Sequence, residues 1–178
     1  MKNTSLTALG GIISALSVFL MFLSGLIPNM TYVIPGLTAV LLICTIQEAE
    51  LKWSTFIFIT VSILSMLLVA DKEAAVMYVF FFGYYPIVKE FYERKLHRIL
   101  CLLLKFLTFN VMVVLGYLLI IFVFLIPVEG LDFLGKWTPV VLLGVGNIIF
   151  VLYDYVLTSL TALYLKKVQP RVRKLFNF

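Results

Sequence analysis

Asp154 is a carboxylate deep inside an apolar stretch of this 178-residue chain, about 12 residues before Lys166. A charged Asp at the centre of a membrane helix costs about 2.5–3.5 kcal/mol on insertion scales, so it needs a partner or a proton. Lys105, in the preceding apolar stretch, is the natural ion-pair partner. The pair either holds two helices together or forms a binding or coupling site, and we favour the structural interpretation. Asn147 lies seven residues before Asp154, on the same helix face, and for it we favour a ligand contact.

Aromatic residues are the second group that could form a functional site, since the chain has 16 Phe, 9 Tyr and 2 Trp. The run 77–85 (MYVFFFGYY) is the densest, and its first half, together with Tyr32 and Tyr117, predicts an apolar pocket with a few polar groups. That composition is typical of a small-molecule site. The alternative is that these rings face lipid or the membrane interface.

A ladder of small residues near the N-terminus is the third feature. Ala8, Gly11 and Ala15 share one face of a predicted helix, and small residues allow two helices to approach closely in lipid. The ladder is either a docking face for another membrane subunit or an internal packing face. Both interpretations stay open.

The sequence lacks the patterns that intramembrane catalysis requires. A metalloprotease needs two His one helical turn apart, and His97 is the only His. The chain has no glycine-rich phosphate loop. Cys44 and Cys101 lie near predicted cytoplasmic helix ends, where thiols stay reduced. We therefore expect no enzyme activity, no metal and no cofactor.

These residues must be positioned by membrane helices, because 63% of the residues are hydrophobic against about 45–50% in soluble domains. The apolar runs predict one transmembrane domain with six spans, at about 6–27, 33–46, 53–70, 74–88, 99–126 and 138–165, and a basic tail at 166–178. The second run is short for a span of about 20 residues, so a re-entrant hairpin is its alternative.

Lys and Arg separate between alternate connections of these spans. Counted together with the span ends beside it, one set of connections holds only Lys72 and Lys136, and the other holds the remaining twelve of the 14. The twelve are Lys2, Lys52, Lys89, Arg94, Lys95, Arg98, Lys105, Lys166, Lys167, Arg171, Arg173 and Lys174. Lys and Arg mark the cytoplasmic side, which predicts an all-α, six-transmembrane-helix bundle of the cell membrane with both termini cytoplasmic. Anionic lipids or a cytoplasmic partner, rather than nucleic acid, then face the basic residues.

In this layout the chain resembles the substrate-binding S-component of energy-coupling factor transporters. Stretch 7–16 (TALGGIISAL) resembles the alanine-rich helix of that family, with Gly11-x-x-x-Ala15 in place of Ala-x-x-x-Ala. Stretch 28–35 (PNMTYVIP) resembles its external ligand lid. Stretches 147–154 (NIIFVLYD) and 166–171 (KKVQPR) resemble its last helix and basic end.

The resemblance implies a subunit that binds a vitamin-like micronutrient outside the cell. Its partners would be a transmembrane coupling subunit, docked on Ala8, Gly11 and Ala15, and two ATPases. The ligand contacts would come from the external loop and the outer halves of the last three spans. The residues chosen there are Tyr32, Tyr78, Tyr117 and Asn147.

Two other functions fit the same sequence. One is a structural or assembly subunit of a membrane or cell-envelope complex that binds no small molecule. The other is an ion-coupled carrier that uses Asp154.

Overall fold

The computed structural model describes residues 2–27, 30–49, 51–124 and 138–176, and every regular element in these ranges is helical. The helices are α1 (Lys2–Ser24), α2 (Val33–Glu48), α3 (Leu51–Leu68), α4 (Lys72–Met77), α5 (Tyr85–Lys95), α6 (Arg98–Phe122), α7 (Thr138–Leu163) and α8 (Gln169–Phe176), with π-helical segments at Tyr78–Phe82 and Tyr164–Val168. The predicted connection at 127–137, with Lys136, lies outside the described residues, as do the start of the predicted loop at 28–35 and residues 177 and 178.

Four stretches in the described chain are long and apolar enough to cross a membrane. They are Thr4–Ser24, Leu51–Leu68, Arg98–Leu119 and Leu143–Lys174. The predicted second span is the shorter α2 of 16 residues, which is about 24 Å long at 1.5 Å per residue. The predicted fourth span is divided between α4, the first π-helical segment and α5.

The short helix α2 lies between two hydrophobic clusters. Its Leu42 is fully buried with Met21 of α1 and Val61 of α3 in the first cluster. Its Ile43 belongs to the second cluster, where Phe109 of α6 and Phe150 of α7 are buried. A helix that is apolar on all sides is stable when it is surrounded, so α2 joins the two halves of the bundle.

The predicted fourth span is broken at Gly83, and the glycine explains the break. The Gly83 amide donates to the Tyr78 carbonyl at 2.6 Å, which closes a wide π-type turn. A Cβ at Gly83 would lie 2.8 Å from that carbonyl oxygen and 2.9 Å from the Phe58 ring. Pro86 then stands in the first turn of α5, where its missing N–H leaves no acceptor unpaired. The polypeptide therefore continues as α5 to Lys95, beyond the predicted end at residue 88.

The predicted basic tail is largely helical. α7 continues through the second π-helical segment into α8, and α8 is tied back to the end of α2. Tyr164 donates from its hydroxyl to Glu48 Oε1 at 3.2 Å, and Arg173 Nε lies 3.0 Å from Glu48 Oε2. The Glu48 side chain is only 2% exposed, so these two groups compensate its buried charge.

The opposite end of the bundle is held by the turn before α4. Asp71 accepts a hydrogen bond from Thr31 Oγ1 at 2.9 Å. Lys72 Nζ donates to the carbonyls of Met66 and Val69 at 2.8 Å each. The lysine thereby satisfies carbonyls at the C-terminal end of α3, which have no helical partners of their own.

Candidate functional site

A cavity of about 440 Å³ lies between the first π-helical segment, α6 and α7. We call it the aromatic cavity. Its ring-bearing lining residues are Tyr32, Phe80, Phe81, Phe82, Phe109 and Tyr117. Glu73, Val76, Met77, Val113, Gly116, Val145, Gly146 and Ile149 complete the lining. The volume falls within the roughly 300–1,000 Å³ usual for small-molecule sites.

Glu73 is the charged residue of this lining, and Tyr32 orients it. The Tyr32 hydroxyl donates to Glu73 Oε1. This hydrogen bond is the main reason that the pKa of Tyr32 rises to about 12. The phenol therefore stays protonated at neutral pH and remains a donor to the carboxylate.

Two glycines allow the helices to close around the rings. A Cβ at Gly116 of α6 would lie 3.1 Å from Phe80 Cβ. A Cβ at Gly146 of α7 would lie 3.6 Å from the Phe109 ring. Gly116 in particular sets the distance between α6 and the π-helical segment, and the sequence did not single it out.

Of the four predicted ligand contacts, Tyr32 and Tyr117 line the aromatic cavity, whereas Tyr78 and Asn147 do not. Tyr78 is fully buried in the first hydrophobic cluster, where its ring lies 5.9 Å from that of Phe58. Its hydroxyl has no hydrogen-bond partner among the described residues. The π-type turn brings Phe80, Phe81 and Phe82 to the cavity in its place.

Asn147 is engaged with Asn110 in a reciprocal amide pair. Each Nδ2 donates to the other residue's Oδ1 at 3.0 Å. Asn110 also donates to the Phe106 carbonyl at 2.8 Å, and Asn147 to the Leu143 carbonyl at 2.7 Å. The amides therefore link α6 to α7, as polar side chains do between membrane helices.

Nearer the basic ends of the helices, four charged side chains from three helices converge. We call Lys89, Glu93, Lys105 and Asp154 the charge cluster. Lys105 Nζ lies 3.2 Å from Asp154 Oδ1, the pairing expected from the sequence, and 2.6 Å from Glu93 Oε1. Lys89 Nζ pairs with the same oxygen of Asp154 and lies 3.2 Å from Glu93 Oε1. Two cations and two anions balance, and both lysines are buried, with 6% and 8% exposure.

Lys89 and two polar neighbours of Asp154 were missed by the sequence reasoning, which placed Lys89 in the cytoplasmic connection after the fourth span. The Tyr85 hydroxyl donates to Asp154 Oδ1 at 2.6 Å, and Lys89 Nζ donates to Thr158 Oγ1 at 2.8 Å. Tyr85, Lys89 and Glu93 are spaced four residues apart, which places them on one helix face. That spacing is the signal that identifies them.

A stack of rings separates the aromatic cavity from the charge cluster. Phe81 and Phe109, which line the cavity, have ring centroids 5.2 Å apart, and Phe109 stacks on Phe150 at 4.4 Å. Phe150 lies 4.9 Å from Tyr85, the residue that donates to Asp154. The two sites therefore share a packed aromatic wall.

A smaller cavity of about 190 Å³ adjoins the charge cluster. Its polar lining includes Gln47, Lys89, Glu93, Thr158 and Thr161. This cavity is less than half the volume of the aromatic cavity, and its charged groups are already in ion pairs, Lys89 with Glu93 and Glu90 with Arg94.

The small-residue ladder of α1 faces outward. Ala8, Gly11 and Ala15 are exposed, and a Cβ added at Gly11 would meet no atom within 4 Å. Its neighbour Gly10 faces inward, where an added Cβ would lie 3.3 Å from Ile57 Cδ1. The face that packs on α2 and α3 is thus the one bearing Gly10, and the ladder lies beside it.

Within the described residues, no group of three or more His, Cys, Asp and Glu side chains is arranged to hold a metal ion. The candidate functional features of the described chain are the aromatic cavity, the charge cluster and the outward face of α1. Comparisons with protein families, with curated proteins and with solved structures each find no match to this chain.

Proposed function

We propose that this protein is the membrane-embedded binding subunit of a micronutrient uptake transporter of the energy-coupling factor class. The aromatic cavity is the observation that carries the proposal. It offers about 440 Å³ of largely apolar space with a polar rim formed by Tyr32 and Glu73. This combination suits a vitamin-sized molecule, since small-molecule sites pair apolar walls with a few orienting polar groups.

The charge distribution supports six spans with both termini in the cytoplasm. Tyr32 and Glu73 belong to the end with few basic residues, whereas α8 and the charge cluster belong to the basic end. In this orientation the aromatic cavity opens toward the outside, where a nutrient would be captured. The short α2 fits this arrangement because it is packed between other helices and need not match the full bilayer thickness.

The outward face of α1 supports docking to a transmembrane coupling subunit. Ala8, Gly11 and Ala15 are exposed and small, so a second helix can approach this face closely. Two ATPases would supply the energy, as the resemblance to energy-coupling factor transporters implies.

The test is native mass spectrometry of the protein purified gently from its own membrane. We expect a bound small molecule and a coupling subunit with two ATPases. Tyr117→Ala should lose the small molecule, because Tyr117 lines the aromatic cavity. Tyr155→Ala is the matched control, because that ring lies on the outer surface of α7 with 72% exposure.

Other outcomes would favour the two rival functions. Cell-envelope enzymes without any small molecule would indicate a structural subunit. Uptake into liposomes without ATPases, abolished by Asp154→Asn, would indicate an ion-coupled carrier. In the carrier, an entering cation would have to displace Lys89 or Lys105 from Asp154 Oδ1.

A further inference from the structure

We infer that the aromatic cavity accepts an organic cation, meaning an apolar or aromatic molecule that carries a protonated amine or a quaternary ammonium group. This inference rests on the proposed binding function and names its ligand class. It follows from the charge of the cavity, from its rings and from the state of the Glu73 carboxylate.

Among the described residues, the cavity lining carries one negative charge and no positive charge. Glu73 is its charged member, and it forms no ion pair with any Lys or Arg of the described chain. The neighbouring Lys72 is turned away, because its Nζ donates to the carbonyls of Met66 and Val69. Asp71, the other nearby acid, accepts a hydrogen bond from the Thr31 hydroxyl.

The Glu73 carboxylate keeps one oxygen for a ligand. Tyr32 donates to Oε1, and no hydrogen bond from the described residues reaches Oε2. A phenol compensates a carboxylate only in part, since it supplies one neutral donor. Water can solvate the second oxygen while the cavity is open.

A ligand that fills the cavity must replace this water. Covering a carboxylate without a counter-charge is costly, and covering it with a second anion adds repulsion. A cation removes both costs. The faces of aromatic rings also attract cations, and such contacts contribute more when water is excluded. The rings of Tyr32, Phe80 and Tyr117 line the same cavity as the carboxylate.

The test compares three probes that share an indole ring and differ in charge. They are tryptamine, which is a cation, tryptophol, which is neutral, and indole-3-propionate, which is an anion. Binding to the purified full-length protein is measured by titration calorimetry. Tryptamine should bind about 10-fold more tightly than either other probe, as expected for one charge-assisted contact. Glu73→Gln should abolish this preference.

Glu90→Gln is the matched control. It makes the same carboxylate-to-amide change on α5, where Glu90 pairs with the exposed Arg94 outside the aromatic cavity. This variant should keep the preference for tryptamine. Equal unfolding midpoints for the two variants would show that both are folded.

Four results would overturn the inference: equal binding of the probes, preference for the anion, a preference that survives Glu73→Gln, or binding of none of the probes. Native mass spectrometry then separates the two proposals. A neutral or anionic molecule, including a lipid, that co-purifies and depends on Tyr117 removes only the cation assignment, and a protein that carries nothing removes the binding function as well.

Discussion

Asp154→Asn tests whether the charge cluster stabilises the bundle. The change replaces the carboxylate on which Lys89, Lys105 and the Tyr85 hydroxyl converge by a neutral amide, so the negative charge is lost. The two lysines are then left with Glu93, whose side chain is 44% exposed. Removing one partner of a buried ion pair costs about 3–5 kcal/mol. Because Glu93 remains, we expect the low end, about 3 kcal/mol.

The lysine variants supply a second, more specific result. Lys89→Met alone leaves two anions with Lys105 and should also destabilise the protein. The double variant Lys89→Met/Asp154→Asn retains Lys105 and Glu93, which lie 2.6 Å apart and balance in charge. Its loss of stability should fall short of the sum of the single losses by about 1–3 kcal/mol, as for residues in direct contact.

The assay uses the chain's own thiols. Cys101 is buried and Cys44 is half-buried, so a thiol-reactive fluorescent dye reports unfolding as detergent-solubilised protein is heated. For a chain of this size, about 3 kcal/mol corresponds to a fall of roughly 6–12 °C in Tm.

Arg94→Met is the control, because it removes a cation from an ion pair on the same helix with Arg94 51% exposed. An exposed pair contributes about 0–1 kcal/mol, so its Tm should change little. A fall in Tm for Asp154→Asn no larger than that for Arg94→Met would refute a stabilising role for the charge cluster. So would a double variant whose loss of stability equals the sum of the two single losses.

Three further predictions use the same unfolding assay. Gly83→Ala should lower the free energy of unfolding by about 1–3 kcal/mol because its Cβ would overlap the Tyr78 carbonyl. Gly144→Ala, whose Cβ would meet nothing within 4 Å, should leave stability unchanged or raise it. Similar losses of stability at both sites would contradict the overlap. Gly11→Leu should leave Tm unchanged and reduce recovery of the coupling subunit in a pull-down. Gly10→Leu should lower Tm, because Gly10 faces Ile57. If Gly11→Leu unfolds the protein, the small-residue ladder packs inside the bundle. Asn147→Leu should cost about 1 kcal/mol through the loss of the amide pair, and no loss would mean that the pair adds nothing.

Much of the helical layout could be predicted from the sequence. Long apolar runs bury their backbone polar groups only by forming helices in lipid, and the structure has helices at each of the six predicted positions. The break at Gly83 could not be predicted from the pattern, because it depends on the approach of Phe58 from α3.

The candidate site was predicted less completely than the helices. Asp154 is conspicuous because it interrupts an apolar run, and Lys105 follows as the basic residue of the facing run. Lys89 resembled a loop lysine because it is followed by charged residues, yet it is buried on α5. The π-type turn that starts at Tyr78 changes the direction of the side chains after it, so Phe80 lines the cavity whereas Tyr78 is in the core.

The sequence by itself determined that the described chain is helical, where its apolar helices lie, and that Asp154 needs a partner or a proton, because desolvation of polar and charged groups constrains each of these locally. Only the tertiary structure decided that Tyr32 meets Glu73, that Asn147 pairs with Asn110, and that the small-residue ladder of α1 faces outward. These contacts join residues far apart in the chain, so they depend on how the helices rotate and pack against one another. Hydrophobicity along a single helix leaves that rotation open when the helix is apolar on all sides, as it is in α2.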